Sequence, residues 1–145
     1  MNLVSPDDPI LTAIANPVEF PWKDLSKIVS LMLRTMITNN GCGLAAPQVG
    51  LPLRIITYSY DGKLGSMINP TITYKSPDIV EYTEGCLTYP GKMWKTKRSK
   101  DIRISFRSLI NETFEDVSID GFLAIILQHE TDHLNGILIS QHGRE

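Results

Sequence analysis

The chain has 145 residues and a mass of 16.2 kDa, enough for residues 1–145 to form one domain with its own core. The net charge is -2 and both signs are mixed along the chain, which excludes a basic face for nucleic acid or an anionic membrane. Apolar residues make up 42% of the chain, but no run of them approaches the ~20 needed to span a bilayer.

Residues 1–8 lack the basic and apolar segments of a secretion signal, so the expected compartment is the cytoplasm. There Cys42 and Cys86 are expected to be free thiols, each needing its own explanation. Residues 1–20 read as an irregular arm punctuated by Pro6, Pro9 and Pro17, with a helical turn around Ile10–Ala15. Pro21 suits the first position of a helix. After it Leu25, Ile28, Val29, Met32, Leu33 and Met36 recur at helical spacing, which predicts about four amphipathic turns ending before Asn39-Asn40-Gly41. That stripe is read as core.

Gly41-Cys42-Gly43-Leu44-Ala45-Ala46-Pro47-Gln48-Val49-Gly50 is glycine-rich, but it lacks the Lys and Ser/Thr of a phosphate loop. Its small residues allow a ligand or a strand to come close to the backbone. Gln48 is the polar exception, and the pattern alone equally allows a tight turn with a surface glutamine.

Strands are predicted at Arg54–Ser59, at Met67–Tyr74 with an interruption at Asn69-Pro70, and at Asp101–Arg107, which alternates polar and apolar. Thr113–Val117 can return as a hairpin partner after a turn at Ser108–Glu112. Without βαβ alternation the sheets should be mainly antiparallel. With a central helix and an amphipathic N-terminal helix, the expected class is α+β. Between the strands lies Glu84-Gly85-Cys86-Leu87-Thr88, a cysteine near a strand end and before a turn.

Residues 121–136 read as one buried helix, with Asp120 as N-cap and Gly136 as a left-handed stop. It carries His129-Glu130-Thr131-Asp132-His133. Positions i and i+4 lie roughly 40° apart on a helix, so both imidazoles can converge on one ion while Glu130 stays free as a general base. This motif arises by chance in on the order of one chain in a few hundred. Yet each buried ionisable group costs several kcal/mol unless paired, and a metal removes that difficulty. An open catalytic site needs a third ligand. His142 lies in the last few residues, which makes Cys86 the economical choice, with Glu81 or Glu84 as oxygen competitors.

Taken together and in order, Gly41–Gln48, Glu84–Thr88 and His129–His133 resemble the peptide deformylase family. The resemblance implies that Cys86, His129 and His133 bind one divalent metal. Fe2+ is the expected native ion, with Zn2+ or Ni2+ possible as purified. It implies Glu130 as the base, with Gln48 and the backbone N–H of Leu87 as oxyanion donors. The implied substrate is the N-formyl-methionyl end of nascent peptides, with release of formate, action near the ribosome and a monomeric enzyme. Phe122, Ile125 and Ile126 precede His129 on one helix face and are expected to wall the methionine pocket, with Tyr82 beside it. Gly41, Cys42, Gly43, Glu84 and Gly85 are expected to take the peptide backbone by strand addition. Asp132 is implied to pair with Arg98 behind the ligands.

Three positions depart from the family pattern: Thr88 replaces a serine, Met93 an arginine common in bacterial members, and Tyr82 an aliphatic residue. The chain stops nine residues after Gly136, similar to a short, bacteriophage-type form. The alternatives are a general metallopeptidase sharing the helix motif, or a non-catalytic domain with a structural metal. A cysteine ligand argues against the first, and an open three-ligand site beside Glu130 against the second.

Overall fold

The computed structural model describes residues 1–142. A five-stranded antiparallel sheet has the order β1 (Gly43–Ala45), β2 (Ile55–Tyr60), β3 (Lys63–Lys75), β6 (Ile102–Arg107), β7 (Thr113–Ile119). β4 (Ile79–Gly85) and β5 (Met93–Ser99) form a separate antiparallel pair. The helices are α1 (Leu25–Thr38), α2 (Gly121–Leu134) and the short α3 (Ile139–His142), with 3-10 turns at Pro9–Thr12 and Ala46–Val49. The α+β class and the antiparallel sheets are as expected from the sequence. No helix among the described residues is long and apolar enough to cross a membrane.

The large sheet is covered on both faces where the site lies. Side chains alternate across a strand, so neighbouring apolar residues face opposite ways. Ile55 joins Val29, Met32 and Met36 of α1, while Ile56 joins Ala124 and Leu127 of α2. Met67 and Ile68 divide in the same way. The methionine stripe of α1 is therefore core, with Met32 and Met36 fully buried. β5 is fastened to α2 by Gln128, whose amide exchanges bonds of 3.1 and 2.8 Å with the backbone of Ser99.

Three local expectations are corrected. Pro21 does not open α1, which begins at Leu25 after Asp24. Asn69-Pro70 does not interrupt β3; the strand runs through it with a register shift between Ile68 and Thr71. Asn69 takes a positive φ of 53° there, and its amide grips both backbone groups of Val18 at 2.7 and 2.9 Å. The bulge thus anchors the N-terminal arm. Asp120 stands at the N-cap of α2, but its side chain makes no capping bond.

Gly136 ends α2 as expected, with φ +72°. A Cβ there would also lie 2.5 Å from the carbonyl oxygen of Thr12. Gly136→Ala should therefore cost more than the ~1–2 kcal/mol of left-handed strain alone. A urea midpoint unchanged from wild type would contradict this.

Candidate active site

The burial of α2 brings three of its four ionisable side chains into the interior: His129 is 7% exposed, Glu130 4% and His133 1%. Cys86 follows β4, and its Sγ lies 3.4 Å from His133 Nε2. One ligand atom from each of Cys86, His129 and His133 can be chosen so that all lie within 4.8 Å of one another. A single ion could bridge that span.

A polar chain behind the cluster fixes His129. Its Nδ1 is 2.8 Å from Glu84 Oε1, which turns Nε2 toward the cluster. Arg98 grips Glu84 with Nε to Oε2 at 2.6 Å and Nη2 to Oε1 at 3.0 Å, and the Thr96 hydroxyl adds a further bond to Glu84 Oε2. The remaining Arg98 nitrogen donates to Asp132 Oδ2 at 3.0 Å. Burial opposes the charge on Glu84, but bonds from His129 and Arg98 outweigh it and hold its pKa at about 2. The expected Arg98–Asp132 pair is present. The carboxylate that touches the histidine, however, is Glu84.

The surroundings suit a cation. Burial disfavours a charged His129, yet the Glu130 carboxylate, Cys86 and Glu84 raise its pKa to about 10. Positive charge is thus favoured at this point. Glu130 Oε1 and His133 Nδ1 are buried without a hydrogen-bond partner among the described residues. Burial lifts Glu130 to about 7, against the pull of His129. One sulfur and two imidazole donors are a soft-to-borderline set that fits iron, nickel or zinc.

Gln48 is 2% exposed, so the surface-turn reading does not hold. The Ala45 N–H donates to its Oε1 at 2.9 Å, which fixes which end of the amide points where. Its Nε2 donates to Thr88 Oγ1 at 3.0 Å and lies 3.8 Å from Cys86 Sγ. Thr88 thus supplies the hydroxyl expected of a serine.

The cluster opens into a cavity of about 540 Å³. Phe122, Ile125, Ile126, His129 and Glu130 of α2 form one side of it. Gly41, Cys42, Gly43 and Gln48 line it from the β1 region, and Glu84, Gly85, Cys86 and Leu87 from the end of β4. Gly43 cannot carry a side chain: a Cβ would stand 2.4 Å from Glu130 Oε2 and 2.9 Å from Ile126 Cγ2. Met93 also lines the cavity.

Tyr82 lies beside the cavity, as expected: it is not part of the lining but stacks on the lining residue Phe122, with ring centroids 5.4 Å apart. Glu84 borders the cavity, but its carboxylate is taken up by Arg98, Thr96 and His129 rather than offered to a peptide or an ion. Glu81 is exposed and outside the cluster, so neither carboxylate competes with Cys86. Asp132, Arg98 and His133 lie behind the lining.

Comparison with known proteins agrees with this geometry. A family profile described as polypeptide deformylase matches residues 1–145. The peptide deformylase of Dictyoglomus turgidum is 42% identical over 138 residues, covering 95% of this chain and 89% of the relative. The crystal structure of the Thermotoga maritima peptide deformylase superposes with a TM-score of 0.94 at 35% identity, covering 97% of this chain and 95% of that one. A probable peptide deformylase from a Synechococcus phage gives a TM-score of 0.91 at 34% identity, covering 97% and 98%. With its full length matched and its cysteine and two histidines gathered beside a buried glutamate, the chain belongs to the polypeptide deformylase family, metal-dependent hydrolases that remove N-formyl groups.

Proposed function

We propose that residues 1–145 act as one catalytic domain, a monomer that deformylates formyl-methionyl peptides near the ribosome in the cytoplasm. The observation that carries this reading is the Cys86, His129 and His133 cluster beside the unpartnered Glu130 Oε1, at the wall of an apolar-sided cavity. Those three residues would hold one divalent ion. Bound there, the ion supplies a Lewis acid and lowers the pKa of water toward neutrality. Fe2+ is the proposed native ion on family resemblance. The general affinity order places Ni2+ and Zn2+ above it, so purified protein should carry what the medium offers.

The chain's own groups divide the remaining work. Glu130 takes a proton from the attacking water and returns it to the leaving amine nitrogen. Gln48 Nε2 and the Leu87 N–H donate to the carbonyl oxygen as it gains charge, each worth about 3–4 kcal/mol. Phe122, Ile125 and Ile126 take the methionine side chain by apolar burial. Among the described residues β1 and β4 each pair with a strand on one side only, β2 and β5 respectively. Their free edges suit a peptide backbone added as a strand, beside Gly41, Cys42 and Gly43 on one side and Gly85 on the other.

Formate release from a formyl-methionyl dipeptide by anaerobically prepared Fe2+ or Ni2+ protein tests the reading. No formate from metal-replete protein overturns it; cleavage of internal peptide bonds instead would favour a general metallopeptidase. The bond from Glu84 to His129 carries a prediction of its own. Glu84→Gln should lower metal affinity about 10–100-fold, as loss of a carboxylate behind a ligating histidine generally does. Competition with a chromophoric chelator measures it, and unchanged affinity would remove Glu84 from that role.

A further inference from the structure

We propose that α3 is an apolar cap on the side of Cys86 turned away from the cavity, which Cys86 lines and Ile139 does not, and that Ile139 is its positioning residue, closing that side to water and small reagents and slowing metal loss. The inference rests on the reading of Cys86 as a ligand. Cys86, Trp94 and Ile139 form one buried cluster, 9%, 8% and 3% exposed, with Tyr89 packed against it. The mechanism above uses Cys86 only as a donor and has no use for this cover.

A helix of four residues has no stability of its own. α3 is held where it is by its surroundings. Gly136 turns the chain out of α2, and the Ile137 N–H bonds the Asp132 carbonyl at 2.9 Å. The hydroxyls of Tyr89 and Ser140 meet at 3.3 Å, and Tyr89 packs on Trp94 with centroids 5.7 Å apart. These contacts hold Ile139 in the buried cluster it shares with Trp94 and Cys86, while Gln48 Nε2 and His133 Nε2 approach the sulfur at 3.8 and 3.4 Å. A thiolate reacts according to its access and charge, and the apolar shell of a metal site governs that access.

Iodoacetamide reads this directly: a sulfur–carbon bond forms, the carbon–iodine bond breaks and iodide leaves. Mass spectrometry of the digested protein separates Cys86 from the exposed Cys42, which serves as internal reference. In zinc-loaded Ile139→Ala, alkylation of Cys86 and zinc transfer to a chelator should each be about tenfold faster, the lower end of what an outer partner does to metal affinity. Cys42 should react at its usual rate, and Ile139→Leu should restore the slow rate at Cys86. Met32→Ala, in the cluster around α1, serves as a control for general destabilisation and should leave Cys86 slow. An unchanged Cys86 rate in Ile139→Ala, or an equal rise in Met32→Ala, overturns the cap. If zinc fails to slow alkylation of Cys86 in the wild type, it is the ligand reading that fails, separately from the cap.

Discussion

Glu130→Gln is expected to lower the turnover of a formyl-methionyl peptide by about 10²–10⁴-fold, the usual worth of a positioned general base. The substitution keeps size and shape, so packing beside Gly43 is retained and the fold should survive. What disappears is the ability to accept a proton at Oε1, the buried oxygen without a partner. The loss should fall on kcat with KM little changed, because the group acts on the transition state and not on the bound peptide. Metal content should stay at one ion per chain, since Glu130 is outside the proposed ligand set of Cys86, His129 and His133. Turnover near the wild-type rate in a metal-replete variant would remove Glu130 from the base role.

Cys86→Ala should abolish stoichiometric metal and, with it, formate release. Cys86 is the one member of the cluster that does not come from α2, so it ties the end of β4 to that helix. Losing a direct ligand should cost more affinity than the ~10–100-fold typical of an outer partner. A thermal scan gives a second reading. A ligand at 100 times its dissociation constant stabilises the folded state by about 2.7 kcal/mol, so wild-type protein should melt higher with metal than without it. The variant should show no such gain. Full metal retention by Cys86→Ala would move the third ligand to another side chain.

The parts of the site that lie on one element were readable in the sequence, and the parts assembled by strand pairing were not. The pentad on α2 shows its two histidines and Glu130 on one face because helical spacing alone decides it. Cys86 could be singled out because a three-ligand site had few other candidates. The residue pattern alone left Gln48 undecided, and its role came only through the family resemblance, since its burial depends on β4 and Thr88 arriving from 40 residues away. The role of Glu84 was hidden by its partner. β5 alternates Met93, Lys95 and Lys97 outward with Trp94, Thr96 and Arg98 inward, and hydropathy does not distinguish a buried arginine from an exposed one. β1, at three residues, is too short to show a period. Pro21 satisfied a statistical preference for helix starts that the chain does not use, because α1 begins four residues later.

The bare backbone at Gly43 sets how this cleft can change under selection by an inhibitor. A compound resting on that backbone touches a surface whose alteration displaces the Glu130 carboxylate, so escape by substitution there would cost the enzyme its turnover. Met93 is 54% exposed at the cavity rim and is not among the proposed metal ligands. Resistance should therefore arise at Met93 or at neighbouring rim positions, and a compound anchored on Gly43 and the apolar wall of α2 should outlast one that leans on the rim.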